Sequence, residues 1–232
     1  MITITNLGKA YNQRIVLFIR ELEIQQGEIF GLVGNNGAGK TTLLRLLLDL
    51  IRADKGSVIS GDYEVAKSEK WKEYTSSYLD EGFLIDFLTP EEYFHFVGEE
   101  YGVSKVEIDE KLLEYKGFFN DEILGQRKKL IREFSKGNKQ KIGIVSALIT
   151  EPRVIILDEP FNSLDPTSQI LLKRILVDFN KKTNATMVIS SHDLNHITDI
   201  SHRVALIEKG TIILDLQNDG SALAELKNYF SV

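Results

Sequence analysis

Residues 29–47 read IFGLVGNNGAGKTTLLRLL, and their pattern decides the fold. The run EIFGLVG is apolar, short and stopped by glycine; after it Leu43, Leu44, Leu47 and Leu50 recur at helical spacing. The stretch predicts strand, glycine-rich turn, helix. Within it residues 34–41 (GNNGAGKT) fit G-x-x-x-x-G-K-[ST] in full. Each position has a chemical reason. A triphosphate loses water on binding, and backbone N–H groups replace that water only where the chain wraps closely around the oxygens. Gly34, Asn35, Asn36, Gly37, Ala38 and Gly39 form such a wrap, glycine allowing the close approach and the unusual dihedrals. The helix starting near Lys40 adds the positive end of its dipole. Lys40 supplies a point charge for the β and γ phosphates, Thr41 a hydroxyl for Mg²⁺, and Thr42 reaches toward the α phosphate. The same glycines contain G-x-x-G-x-G, but the lysine after them points away from a dinucleotide fold.

Outward from this turn, residues 2–33 read as strands, with Ile2, Ile4 and Leu7 spaced as on a half-buried one. GSVISGD is a further short strand between turn glycines. Residues 89–150 lack strand runs and read as a mostly helical insertion. Its start is marked by Thr89 as N-cap, Pro90 at the first helical position and Glu92 closing a capping box. Strand patterns return at VIILDE (154–159), at TMVISS (186–191) and in RVALIEKGTIIL, a hairpin with its turn at Lys209-Gly210. Residues 221–230 read as a terminal helix capped by Ser221. Helices between recurring strands predict an α/β fold with a largely parallel sheet.

VIILDEP sets Asp158 and Glu159 at the end of an apolar strand, the end that faces the ligand crevice in a parallel sheet. Asp158 is read as the Mg²⁺ acid and Glu159 as the carboxylate that polarises an attacking water. His192, in ISSHD, stands at the end of the next apolar run, where it can bond a γ-phosphate oxygen or orient the water. His95, His196 and His202 read as surface residues.

The 232 residues carry 43% apolar and 27% charged side chains, an ordinary globular composition able to bury a sizeable core. The net charge of -6 argues against a general nucleic-acid binder. With no cysteine, a disulfide framework, a thiolate nucleophile and a cysteine zinc site are excluded. The most apolar run, 43–51, is short and contains Arg45 and Asp49, so no membrane span is expected and a soluble chain is. No basic start followed by an apolar run marks a signal peptide.

In order and spacing, these motifs resemble the nucleotide-binding subunits of ABC (ATP-binding cassette) transporters over nearly the whole chain. Tyr11 matches the aromatic residue that stacks on adenine in that family. Phe134-Ser135-Lys136-Gly137-Asn138, followed by Lys139-Gln140-Lys141, matches its signature; 162–165 (NSLD) matches its D-loop and His192 its switch histidine. Ser135 is also a natural N-cap ahead of an apolar stripe of Ile142, Val145 and Ile149, and Gly137 permits close backbone approach, so this is a second helix N-terminus suited to an anion. The resemblance implies that a second cassette presents this N-terminus to ATP. FSKGN replaces the commoner LSGGQ and resembles export-type and drug-resistance-type subunits. About forty residues after the lysine the family has a Gln near Mg²⁺; here 77–82 read SYLDEG, so Asp80 or Glu81 takes the position.

The implied fold is a P-loop NTPase core with a mixed, largely parallel sheet, an N-terminal antiparallel β subdomain and a helical insertion over 89–150, the whole 1–232 being one cassette. The implied function is that of an Mg²⁺-dependent ATPase powering transport through ATP-dependent dimerisation, as homodimer or heterodimer. It would be cytoplasmic and peripheral on the inner face of the membrane, held by a separate integral-membrane subunit at the apolar stretch Phe83, Leu84, Ile85, Phe87 and Leu88. The competing class, a soluble ABC ATPase acting on ribosomes or DNA, usually has two cassettes or a long coiled coil; this chain has one cassette and no sustained heptads.

Overall fold

The computed structural model describes residues 1–126 and 128–230. β1 (Ile2–Tyr11) and β2 (Arg14–Ile24) form a hairpin whose two turn residues, Asn12 and Gln13, both take positive φ, as a tight two-residue connection requires. β4 (Lys55–Ser60) and β5 (Tyr63–Glu64) extend it into an antiparallel sheet of order β2-β1-β4-β5. Ile2, Ile4 and Leu7 are buried, as their spacing predicts.

β3 (Ile29–Val33) leaves that sheet and enters a second one. Its partners there are β6 (Thr75–Tyr78), β7 (Val154–Leu157), β8 (Thr186–Ser191), β9 (Arg203–Glu208) and β10 (Thr211–Gln217), in the order β10-β9-β3-β8-β7-β6. All neighbours are parallel except β9 and β10, the hairpin predicted at Lys209-Gly210. All five residues of β3 are buried, because both faces of the sheet are covered. Ile29 and Val33 pack with the helical side, Phe30 and Leu32 with the antiparallel sheet and α1 (Lys40–Leu47). Helix α1 is shorter than the leucine spacing suggests. Asp49, at φ 50, turns the chain out, and Leu50 lies beyond the helix and half exposed.

The stretch 89–150 is helical: α2 (Pro90–Glu100), α3 (Lys105–Glu114), α4 (Lys116–Phe119) and α5 (Lys136–Leu148). The Thr89 hydroxyl accepts the Glu92 N–H while the Glu92 carboxylate accepts the Thr89 N–H, the predicted capping box. Helix α5 is buried at every position from Gln140 to Leu148, so it is a core helix, wider in its apolar face than the stripe Ile142, Val145, Ile149. It lies on β6 and β7, with Gly143 directly beneath the Tyr78 ring. The chain closes with α6 (Pro166–Thr183), α7 (Leu194–Thr198) and α8 (Ala222–Phe230), the last preceded by Ser221, whose hydroxyl lies against the Asp219 and Glu225 carboxylates.

A Cβ added at Gly143 would overlap the Tyr78 ring. Gly143→Ala should therefore destabilise the fold by about 1–3 kcal/mol, the usual range for overpacking a filled core. Urea unfolding measures it; a variant as stable as wild type would mean that α5 rides free of β6.

Candidate active site

Parallel register sets Val33 beside Ser191, and Leu157 beside Ile189, so Gly34, Asp158 and His192 emerge at one edge of the sheet. Beyond Val33 the loop tightens: the Ala38 N–H donates to the Asn35 carbonyl, and Gly37 and Gly39 hold φ of 81° and 113°, a region closed to most L side chains. Gly39 is the N-cap of α1, and the Leu43 N–H opens the helical ladder on its carbonyl. Lys40 is buried and curls back, donating to the Gly34 carbonyl at 2.6 Å and the Asn35 carbonyl at 3.4 Å. An open cleft of about 280 Å³ is lined by Tyr11, Val16, Asn35, Asn36, Gly37, Gly39, Lys40, Thr41, Thr42 and Glu159. Tyr11 stands half exposed at the end of β1, with Lys9 Nζ 5.3 Å from its ring centre.

Asp158 is buried, its Oδ2 accepting from the Thr41 hydroxyl at 2.5 Å and its Oδ1 from the Ser190 hydroxyl. Burial pushes its carboxyl above the ordinary carboxylate range, against the opposing pull of both hydroxyls. Glu159 takes a left-handed backbone, φ 47. Its Oε1 is 3.1 Å from Lys40 Nζ; its Oε2 is 2.9 Å from His192 Nδ1 and accepts the His192 N–H. Loop, Thr41, both acids and His192 thus converge as the motifs predict. Two residues that the sequence reading missed hold the Glu159 peptide: its N–H donates to Ser190 Oγ at 2.9 Å, and its carbonyl accepts from Gln140 Nε2 at 3.2 Å. Ser190 lies within ISSHD, two residues before His192, but only the pairing of β7 with β8 makes it meaningful.

Among the described residues no group of three or more His, Asp or Glu is arranged to hold a metal. The Thr41 hydroxyl against the Asp158 carboxylate is a pair of hard oxygen donors, which suits Mg²⁺ completed by phosphate oxygens and water. Asp80 and Glu81 stand further out. The Asp80 carboxylate accepts the Gly82 N–H and lies 4.0 Å from Arg45; that of Glu81 lies 3.9 Å from Lys136. Neither touches Thr41 or Asp158.

Ser135 caps α5, accepting the Asn138 N–H, and Gly137 has no room for a Cβ because the Ser163 carbonyl lies over it. Both line a separate cleft of about 590 Å³ with Ser163, Leu164 and Asp165, and neither lines the cleft at Lys40. Of the remaining histidines, His95 pairs with Asp109 near the surface, 2.7 Å away. His202 is exposed, in keeping with the surface reading, while His196 departs from it. His202 Nδ1 accepts the Ile29 N–H, tying the start of β3. His196 is half-buried and stacks on Phe161, and burial lowers its pKa.

Residues 19–162 match the family model described as "ABC transporter". The lantibiotic transport ATP-binding protein SrtF of Streptococcus pyogenes is 35% identical over 229 residues, 98% of this chain and 96% of that one. The bacitracin transport ATP-binding protein BcrA of Bacillus licheniformis is 34% identical over 221 residues, 94% of this chain and 70% of that one. A solved ATP-binding subunit of an ABC transporter superposes over 100% of this chain and 93% of that one, at 26% identity and a TM-score of 0.85. The dimeric cassette MJ0796 bound to ADP and Pi, at 22% identity, a TM-score of 0.82 and 95% and 100% coverage, is alike in fold.

The raised carboxyl of Asp158 has a stability consequence. A pKa higher in the folded than in the unfolded state means that the ionised form costs stability once pH passes the unfolded value, and at neutral pH that cost is present. Asp158→Asn should leave the nucleotide-free chain as stable as wild type or about 1 kcal/mol more stable at pH 7, with the difference fading toward pH 4. Thermal unfolding across that range measures it; a strongly destabilised variant at pH 7 would show that the carboxylate is held by its two hydroxyls more than it is harmed by burial.

Proposed function

The chain belongs to the ABC transporter family, and from that premise we propose that it is the ATP-binding and ATP-hydrolysing subunit of a membrane transporter, with the roles below for its residues. One observation carries the assignment of roles: Glu159 bridges Lys40 and His192 at the mouth of the phosphate loop. The backbone from Gly34 to Gly39 receives the phosphates, and Lys40 turns from the loop carbonyls and Glu159 to the β and γ oxygens. The opened ion pair frees Glu159 to face a water held with His192. The water oxygen bonds to the γ phosphorus while the bond to the β-bridging oxygen breaks and ADP leaves. Glu159 takes the water's proton and passes it to the phosphate. Thr41 and Asp158 hold Mg²⁺, which when bound neutralises developing charge on the phosphate oxygens. Asp80, whose carboxylate lies 4.0 Å from Arg45, or Glu81 beside it would reach the same metal from the Q-loop position. Thr42 faces the α phosphate and Tyr11 the adenine.

The separate cleft at Ser135 and Gly137 supports a second cassette, since these residues do not share the cleft at Lys40. No helix among the described residues is long and apolar enough to cross a membrane. Attachment to the cytoplasmic face of a membrane is the part proposed for a separate integral-membrane chain. Phe83 and Phe87 are 50% and 65% exposed while Leu84 between them is buried, which supports a docking surface there, with about half of that stretch serving as core. Relatives named for lantibiotic and bacitracin transport support an export role; relatives named for methionine import, also at 35% identity, leave the cargo to the membrane chain.

Glu159→Gln keeps size and removes charge. It should bind ATP, hydrolyse it at a hundredth of the wild-type rate or less, in line with the loss of a general base (roughly 10²–10⁴-fold), and form a dimer that dissociates in ADP. Adding Ser135→Arg should abolish the dimer and spare binding. Light scattering with each nucleotide decides it, and wild-type turnover in Glu159→Gln would remove Glu159 from the mechanism.

Tyr11→Ala should weaken ATP by about 1–3 kcal/mol, the range for base–aromatic stacking, and Tyr11→Trp should restore it. Nucleotide titration is the measurement; equal affinity in all three would leave Tyr11 a strand-end aromatic.

A further inference from the structure

A left-handed backbone at a glutamate costs about 1 kcal/mol, so neighbours must impose it. Three groups hold the Glu159 peptide: Ser190 Oγ at its N–H, and the Asn162 N–H and Gln140 Nε2 at its carbonyl. Ser190 belongs to the rigid sheet and Asn162 to the local turn. Gln140 alone comes from α5, the helix that begins at Ser135. Its amide orientation is set from the other side. The Tyr78 hydroxyl donates to Gln140 Oε1 at 3.2 Å, which turns Nε2 toward the Glu159 carbonyl. Tyr78 also ends β6, accepts the Asp158 N–H on its own carbonyl, and lies on Gly143 of α5. Gln140 is itself 6% exposed. The bond to Glu159, at 3.2 Å, is at the long end of the N–H···O range and has room to tighten.

Gln140 lies five residues, about 7.5 Å, along the helix from Ser135. One helix thus carries both Ser135 and the amide that grips the Glu159 carbonyl. We propose that Gln140 is a positioning residue that couples the seating of the Ser135 end of α5 to the orientation of Glu159, so that hydrolysis proceeds when that end is engaged. The proposal rests on the reading of Glu159 as the residue that orients water.

The test uses the full chain. Gln140→Ala removes the amide; Gln140→Glu keeps its shape and the acceptor for Tyr78 but cannot donate to the Glu159 carbonyl. Both should lower kcat about tenfold, the scale expected of a small misplacement at the reacting group, with KM and ATP affinity within about twofold of wild type. Tyr78→Phe keeps the ring on Gly143 and removes only the orienting hydroxyl; it should lower kcat by a smaller factor, about threefold, and lower the thermal midpoint by only a few degrees, the effect of one buried acceptor left without its donor, which keeps the idea testable even where Gln140→Ala fails to fold. Placed on Glu159→Gln, Gln140→Ala should leave ATP-dependent dimerisation intact and lower the residual turnover no further. Wild-type kcat in Gln140→Glu and Tyr78→Phe overturns the coupling. So does parallel loss of ATP affinity or of the dimer, which would make Gln140 a structural support of α5. Wild-type turnover in Glu159→Gln instead overturns the underlying reading, whatever Gln140 does.

Discussion

The parallel pairing of β3, β7 and β8 is the constraint on which the site depends. Thr41 and Asp158 are 117 residues apart in the chain, yet their side chains bond at 2.5 Å because the two strands that deliver them end at the same edge. β8 lies between β3 and β7 and supplies Ser190 and His192 to the same place. A parallel sheet needs crossover connections, and here they cover both faces, helices on one and the antiparallel sheet with α1 on the other. The same covering buries β3 completely and leaves the strand ends as the exposed, polar part of the sheet.

That edge carries opposed charges held in balance. Lys40 is buried with loop carbonyls and Glu159 as its partners, and Asp158 is buried with only hydroxyls. Each is a charge out of water without its full complement, the condition in which a phosphate and its metal ion bind with most effect. Functional chemistry and modest local stability therefore have one cause: groups arranged for a ligand are imperfectly satisfied without it.

Helix α5 joins this edge to a second one. Its first turn carries Ser135 and Gly137 in their own cleft, its second turn carries Gln140 to Glu159, and Gly143 seats Tyr78. The Ser163 carbonyl packed over Gly137 adds a contact between the signature and the loop that follows Glu159. The two ends of the chemistry are thus connected through one rigid element and through buried polar bonds in place of loose packing.

Much was legible from local pattern, because local physics decides it. The phosphate loop is a run of contiguous residues whose glycines, lysine and threonine each have a fixed job. The capping box at Thr89, the cap at Ser135, the hairpin at Lys209-Gly210 and the acids ending β7 are likewise short-range signals. What the sequence alone did not determine lies in contacts between distant segments. Leu50 obeyed the helical period but fell beyond Asp49, where a left-handed residue ended the helix. His196 looked like a surface residue until Phe161 was brought against it, and His202, though exposed, holds the start of β3 through one backbone bond. In sequence Ser190 is only a member of ISSHD and Gln140 of the run after the signature, and only strand register and the seating of α5 on β6 make them the grip on Glu159. Short-range patterns determine which elements form; the burial of their shared faces determines which polar groups must find each other.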